Sequence, residues 1–147
     1  MFALIQCDIT GHPQGHVVNL PDALAAACTQ SAELYRRIKY ELPWVSYIAM
    51  AGERCVGGGA FVGAPKEGIV EIAYFTLDGF QGHGYATQTA RELIAIARQA
   101  VPTITIRAFT LPETNPSTKI LVRLGFTMIG FAHDEDVGEV WEWRCSP

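Results

Sequence analysis

The run Ile69-Val70-Glu71-Ile72-Ala73-Tyr74-Phe75-Thr76-Leu77, followed by Asp78-Gly79-Phe80 and then Gln81-Gly82-His83-Gly84-Tyr85-Ala86, decides how this chain folds. The first nine residues are apolar, β-branched and aromatic, as a strand requires. After Gly84 the spacing turns helical, with Ala86, Ala90, Leu93, Ile94 and Ala97 on one face. A glycine-rich loop at a helix start leaves several backbone N–H groups unpaired and facing outward. Together with the positive end of the helix dipole they make a site for an anion such as pyrophosphate. Binding of a phosphorylated cofactor is the most economical function of the loop, and a plain capping turn is the other reading.

Two familiar nucleotide loops fail on spacing. A dinucleotide fold wants G-x-G-x-x-G early in the chain, with an acidic residue about 20 positions later. Here the loop comes late and no third glycine follows Gly84. A phosphate-binding P-loop needs Gly-Lys-Ser/Thr at the helix start, and this loop has no lysine.

Outward from the loop, the chain reads as one α+β domain over residues 1–147. Phe2 to Cys7 is a first strand. Helical spacing starts near Pro21 and stops before Pro43, with Leu24, Cys28, Ser31 and Tyr35 on one face. Trp44 to Ala51, Cys55 to Val62 and Ile69 to Leu77 form an antiparallel meander. The run Gly57-Gly58-Gly59 predicts a bulge or a close approach by another backbone or a ligand. Helix Gly84 to Ala100, strand Thr103 to Thr110, a short helix Ser117 to Leu124 and strands Phe126 to Ala132 and Glu139 to Arg144 complete the order. The strand–loop–helix–strand at the centre predicts a parallel crossover.

With 49% hydrophobic and 18% charged residues in 147, the composition is that of a globular domain rather than a disordered chain. The net charge of −4 gives no basic footprint for nucleic acid. No apolar run approaches the length of a membrane span, and the first ten residues lack a leader pattern. Cys7, Cys28, Cys55 and Cys145 are scattered, with no metal-ligand spacing. They predict free thiols in a reducing cytoplasm and no metal.

The segment Glu71 to Thr87 resembles the acetyl-CoA site of the GNAT superfamily of N-acetyltransferases. The signature Gln/Arg-x-x-Gly-x-Gly/Ala is filled by Gln81, Gly84 and Ala86. Leu111-Pro112-Glu113-Thr114-Asn115-Pro116-Ser117 through Gly125-Phe126 is similar to the second signature, in which a polar turn opens the last helix. The flavour is that of the ribosomal-protein N-terminal acetyltransferase branch, and the likeness covers roughly residues 45 to 145. It implies a GNAT-like acyl-CoA N-acyltransferase fold, a mixed, mostly antiparallel sheet of six to seven strands flanked by helices. It also implies acetyl-CoA as co-substrate and a small-molecule or peptide amine as acceptor. Phe75, Thr76 and Leu77 then lie along the pantetheine arm. Gln81, Gly82, His83, Gly84, Tyr85 and Ala86 lie at the pyrophosphate, and Asn115 contacts the pantetheine or caps the last helix. The other class of function this implies is an inactive acyl-CoA-binding sensor or partner module.

Acetyl transfer needs a base for the amine, a donor that polarises the thioester carbonyl and a proton for the departing thiolate. Glu71 shares a strand face with Ala73 and Phe75. Partial burial among apolar neighbours raises its pKa toward a useful base, the other reading being a structural carboxylate held by an arginine. Related enzymes place a tyrosine on the last helix near the sulfur, and none stands between Ser117 and Leu124. Ser117 is the best polar substitute and Tyr74 the second. No cysteine falls in either motif, so direct transfer in a ternary complex is expected. His12 and His16 sit in a Gly/Pro loop that can wall the acceptor cleft. His133 with Asp134, Glu135 and Asp136 reads as a solvated turn or an amine-attracting lip. Pairing through the first and last strands would support a homodimer.

Overall fold

In a computed structural model that describes residues 1–15 and 20–147, seven strands form a single sheet in the order β1-β2-β3-β4-β5-β7-β6. The strands are β1 (Phe2–Gln6), β2 (Ser46–Ala51), β3 (Arg54–Phe61), β4 (Ile69–Thr76), β5 (Thr105–Thr110), β6 (Thr127–Asp134) and β7 (Gly138–Cys145). The helices are α1 (Asp22–Arg37), α2 (Tyr85–Ala100) and α3 (Pro116–Arg123). His16 lies outside the described residues. The expected elements are all present and in order.

Alternation along the strands divides the sheet into two faces. On one face α2 and α3 pack Leu93, Ala97 and Leu121 over Val70, Ile72, Ile106, Ala108 and Trp143. On the other, Leu24 and Cys28 of α1 meet Cys7, Ile48, Cys55 and Leu77 in a second core. Hydroxyls fasten α1 to β2. Ser31 Oγ lies 2.7 Å from Ser46 Oγ, and the Tyr35 phenol donates to Ser46 Oγ at 3.1 Å and accepts from Ser46 N at 2.8 Å.

The last strand is interior, between β5 and β6, because the β6–β7 hairpin inserts its second arm beside β5. The free edges are β1 and β6, so edge pairing through the last strand is ruled out.

Every neighbouring pair is antiparallel except β4 and β5. That parallel ladder is short: Ile69, Val70 and Glu71 pair with Thr105, Ile106 and Arg107, and then the strands part. From Ile72 to Thr76, β4 keeps only β3, down to the pair Gly57–Thr76.

The glycine run on β3 is a close approach on both faces, and a bulge lies beside it on the same strand: Ala49 pairs with Gly57 and Met50 with Cys55, so Val56 is the extra residue. A Cβ on Gly59 would stand 2.8 Å from Thr89 Cγ2 of α2. One on Gly58 would stand 3.0 Å from the ring of Phe75, and one on Gly57 would stand 2.2 Å from the Phe75 carbonyl oxygen. The last contact is with backbone, which cannot swing away. Gly57→Ala is therefore expected to destabilise the fold by about 1–3 kcal/mol in denaturant unfolding, the usual cost of overpacking. An unchanged midpoint would show that β3 and β4 can separate freely.

Candidate active site

Where β4 and β5 part, a cavity of about 280 Å³ opens between Ile72, Ala73 and Tyr74 on one strand and Ala108 to Thr110 on the other. Asn115, Ser117 and Leu121 close its far side. It adjoins a larger cleft of about 650 Å³ that runs from Tyr74, Phe75 and Thr76 to the loop before α2. Ser117, Lys119, Ile120 and Arg123 of α3 form the opposite wall. A third cavity, about 300 Å³, lies on the other face of the sheet beneath α1, and it too reaches Ala73, Tyr74 and Phe75. All three meet at one residue of β4, Tyr74.

The loop leaves its backbone N–H groups unpaired. Gly84 is the N-cap of α2 in the left-handed region (φ 81°, ψ 7°), with no side-chain cap and no acidic residue in the first turn. Gly82 has φ 82°, and a Cβ at either glycine would enter open space, so conformation and not crowding selects glycine there. The first helical bond runs from Gln88 N to Gly84 O at 3.0 Å. The N–H groups of Tyr85, Ala86 and Thr87 therefore precede the helical ladder, and all three residues line the cleft. The Arg54 guanidinium lies 4.7 Å from the centre of the Phe80 ring and steadies the loop from behind.

Of the residues marked from sequence, Phe75, Thr76, Gln81, Gly82, Gly84, Tyr85, Ala86, Asn115 and Ser117 are brought together around this cleft. Two are not. The Leu77 side chain is buried in the second core, and its N–H donates to Val56 O at 2.8 Å. His83 is exposed beside Tyr85, with ring centres 6.0 Å apart, and does not line the cleft. Asn115 caps α3: its Oδ1 accepts from Thr118 N at 3.0 Å, and its own N–H donates to Thr118 Oγ1 at 2.9 Å. That box leaves only the side-chain NH₂ of Asn115 for a ligand. Phe75 divides its parts, with its ring over Gly58 on the α1 face.

Glu71 sits on the α1 face of β4 and lines none of the three cavities. Its carboxylate is 3.8 Å from Arg107 Nη2, with a quarter of the side chain exposed. Burial raises its pKa above the usual carboxylate value, Arg107 draws it back, and Glu142 and Asp134 push it up again. The carboxylate is thus partly buried, and an arginine stands beside it. The Tyr74 phenol is buried with no hydrogen-bond partner, and burial pushes its pKa up to about 12. The Asp134 carboxylate adds the smallest of the effects on Glu71, from the start of the acidic turn. His12 is held near Asp8 and Thr10, its N–H 3.3 Å from Asp8 Oδ1, in an exposed turn.

Sequence reasoning missed Lys119 and Arg123, which face the cleft from α3. Their i, i+4 spacing was the available signal. It also missed the cavity under α1, which no local motif encodes. Among the described residues no cluster of His, Cys, Asp or Glu can hold a metal ion, and no helix is long and apolar enough to cross a membrane.

A family model described as an acetyltransferase (GNAT) domain matches residues 12–127. By sequence, no curated protein matches the chain. Among solved structures, an IAA acetyltransferase from Bacillus cereus is similar with a TM-score of 0.73 at 11% identity over 100% of both chains. A spermidine N-acetyltransferase SpeG chimera from Vibrio cholerae and hSSAT gives a TM-score of 0.72 at 11% identity, covering 99% of this chain and 95% of that one. RimL, a ribosomal L7/L12 α-N-protein acetyltransferase in complex with coenzyme A, gives 0.66 at 16% identity, covering 88% and 74%. At such identities the likeness is one of fold.

Lys119→Ala and Arg123→Ala are each expected to weaken coenzyme A binding about two- to fivefold at low ionic strength, and less at high salt. Calorimetric titration at two salt concentrations checks this. Unchanged affinity in both variants would remove the α3 cations from the anion site.

Proposed function

The chain belongs to the GNAT acetyltransferase family, and on that premise we propose that it moves an acetyl group from acetyl-CoA directly to a primary amine while both are bound. The observation that carries this reading is the continuity of the cleft. It leads from an uncapped helix N-terminus, past α3, to the one place where β4 loses its second partner. The residues present fit the donor. N–H groups at Gly82 to Ala86 suit a pyrophosphate, and the open edge of β4 beyond Glu71 offers strand-type partners to the pantetheine amides. Acetyl-CoA, when bound, supplies an activated thioester; the remaining tasks fall to this chain.

The new C–N bond forms as the C–S bond breaks, so one proton must leave nitrogen and one must reach sulfur. Glu71 takes the first. It precedes Ala73 by two residues on the same face, roughly 7 Å along the strand, a separation that a chain of two waters spans. Tyr74 gives the second, because a buried phenol with a pKa of about 12 is protonated at working pH and has no competing partner. Ser117, at the same junction, would offer a second hydroxyl to the departing thiolate. Cys7 and Cys28 line the cavity under α1, but burial raises both thiols, Cys7 to about 12, which is the wrong direction for a nucleophile. Direct transfer therefore stands over an acetyl-cysteine route.

The test is calorimetric binding of acetyl-CoA together with thiol release over a broad panel of primary amines. Absence of both would overturn the reading. Glu71→Gln is expected to lower kcat/KM by about 10²–10⁴, the range for loss of a general base. The rate should rise with pH through a limb set above the ordinary glutamate range. Arg107 favours the charged carboxylate, so Arg107→Gln should move that limb to higher pH, and a shift to lower pH would separate Glu71 from it. Tyr74→Phe should reduce kcat at least tenfold while acetyl-CoA affinity holds.

A further inference from the structure

We infer that the cavity under α1 is the acceptor pocket, and that it takes a small primary amine with one charge and an uncharged, apolar, ring-sized body. The inference rests on the transfer reading above. Its geometry is independent of the donor cleft, since it lies on the opposite face of the sheet and the two share only Tyr74 and Phe75. An occupant whose nitrogen rests at Ala73–Tyr74 is at the divergence of β4 and β5, and its body then extends away under α1.

The lining gives the chemistry. Leu24, Ala27, Leu34, Ile48 and Phe75 are its apolar walls, and Gly58 its floor, left bare so that the Phe75 ring can lie against β3. Among the described residues no aspartate, glutamate, lysine or arginine lines it. Of the polar side chains in the lining, Ser31 and Ser46 are bonded to one another at 2.7 Å, the Tyr47 phenol donates to Pro43 O at 2.7 Å, the Tyr74 phenol belongs to the end where transfer occurs, and the Gln30 amide is neutral. A second ammonium, as in a polyamine, or the carboxylate of an amino acid would be buried here without a partner, which is costly. The carboxylates of this face, Glu71, Glu142 and Asp134, lie beyond Ala73, at the end where the single ammonium must sit. An apolar cavity of about 150 Å³ accommodates benzene, so about 300 Å³ admits a ring with a short tether.

The test compares kcat/KM for 2-phenylethylamine, spermidine, glycine and dialanine with acetyl-CoA. It is joined by titration of CoA-loaded protein with 2-phenylethanol, which cannot accept an acetyl group on nitrogen. The wild type should prefer 2-phenylethylamine at least tenfold. Ala27→Phe, which fills the pocket from half-buried α1, should cut that activity and 2-phenylethanol affinity at least tenfold while acetyl-CoA affinity stays constant. Ala27→Asp should shift preference toward spermidine, and Ala27→Leu serves if the phenylalanine variant does not fold. Preference of the wild type for spermidine, glycine or the dipeptide would overturn the pocket while leaving transfer intact. So would activity that rises with acyl length from acetyl- to hexanoyl-CoA and falls in Ala27→Phe, because the cavity would then hold the acyl chain. If no amine is acetylated yet 2-phenylethanol binds and Ala27→Phe abolishes it, the pocket stands and the transfer reading falls.

Discussion

The structure depends on one interrupted ladder. β4 pairs with β5 only from Ile69 to Glu71, and from Ile72 to Thr76 its strand partner is β3 alone. Backbone groups left without a strand partner must find another, and here they border open space rather than core. Everything functional is arranged around that interruption. The glycine loop and α2 follow the end of β4, α3 follows the end of β5, and the three cavities converge on Tyr74. Parallel pairing makes the arrangement possible. A crossover helix must separate β4 from β5, and its N-terminus comes to stand beside the gap.

Charge is sorted by the same geometry. On the α2 and α3 face, an uncapped helix end with no acidic first turn faces Lys119 and Arg123. On the α1 face, Glu71, Glu142 and Asp134 gather with Arg107 and Arg144. A sheet one residue thick thus separates an anion-favouring side from a cation-favouring one. A net charge of −4 says nothing of this, because it averages the two.

Much of the fold was legible because the signals are local. The strand-to-helix change of period at Gln81–Ala86, the capping segment Asn115–Thr118 and the alternation that puts Glu71 apart from Ile72 are each fixed within a few residues. What escaped was set by distant partners. Leu77 reads as a continuation of β4, but the Val56 carbonyl takes its N–H and the second core takes its side chain. The interior position of β7 follows from a hairpin choosing which arm to insert, which alternation cannot tell. The glycine run announced a close approach, but only the folded chain identifies its three neighbours as the Phe75 carbonyl, the Phe75 ring and α2. Glu71 was read correctly as partly buried, whereas Arg107, 36 positions later in chain numbering, had no signal linking the two before β5 was laid beside β4.

Those three glycines have a further consequence for how this protein can diversify. Each position of Gly57-Gly58-Gly59 is already committed to a different neighbour, so β3 offers no room to reshape the pocket it floors. β4 is equally constrained, since Tyr74 belongs to all three cavities at once. The helix above is not. α1 meets the sheet through a few hydroxyls and one small core, and Ala27 looks into the cavity from a half-buried turn. On the proposed reading, acceptor choice is separable from acyl chemistry, and a lineage, or an engineer, could rewrite what is acetylated by altering one helix while β4 stays as it is.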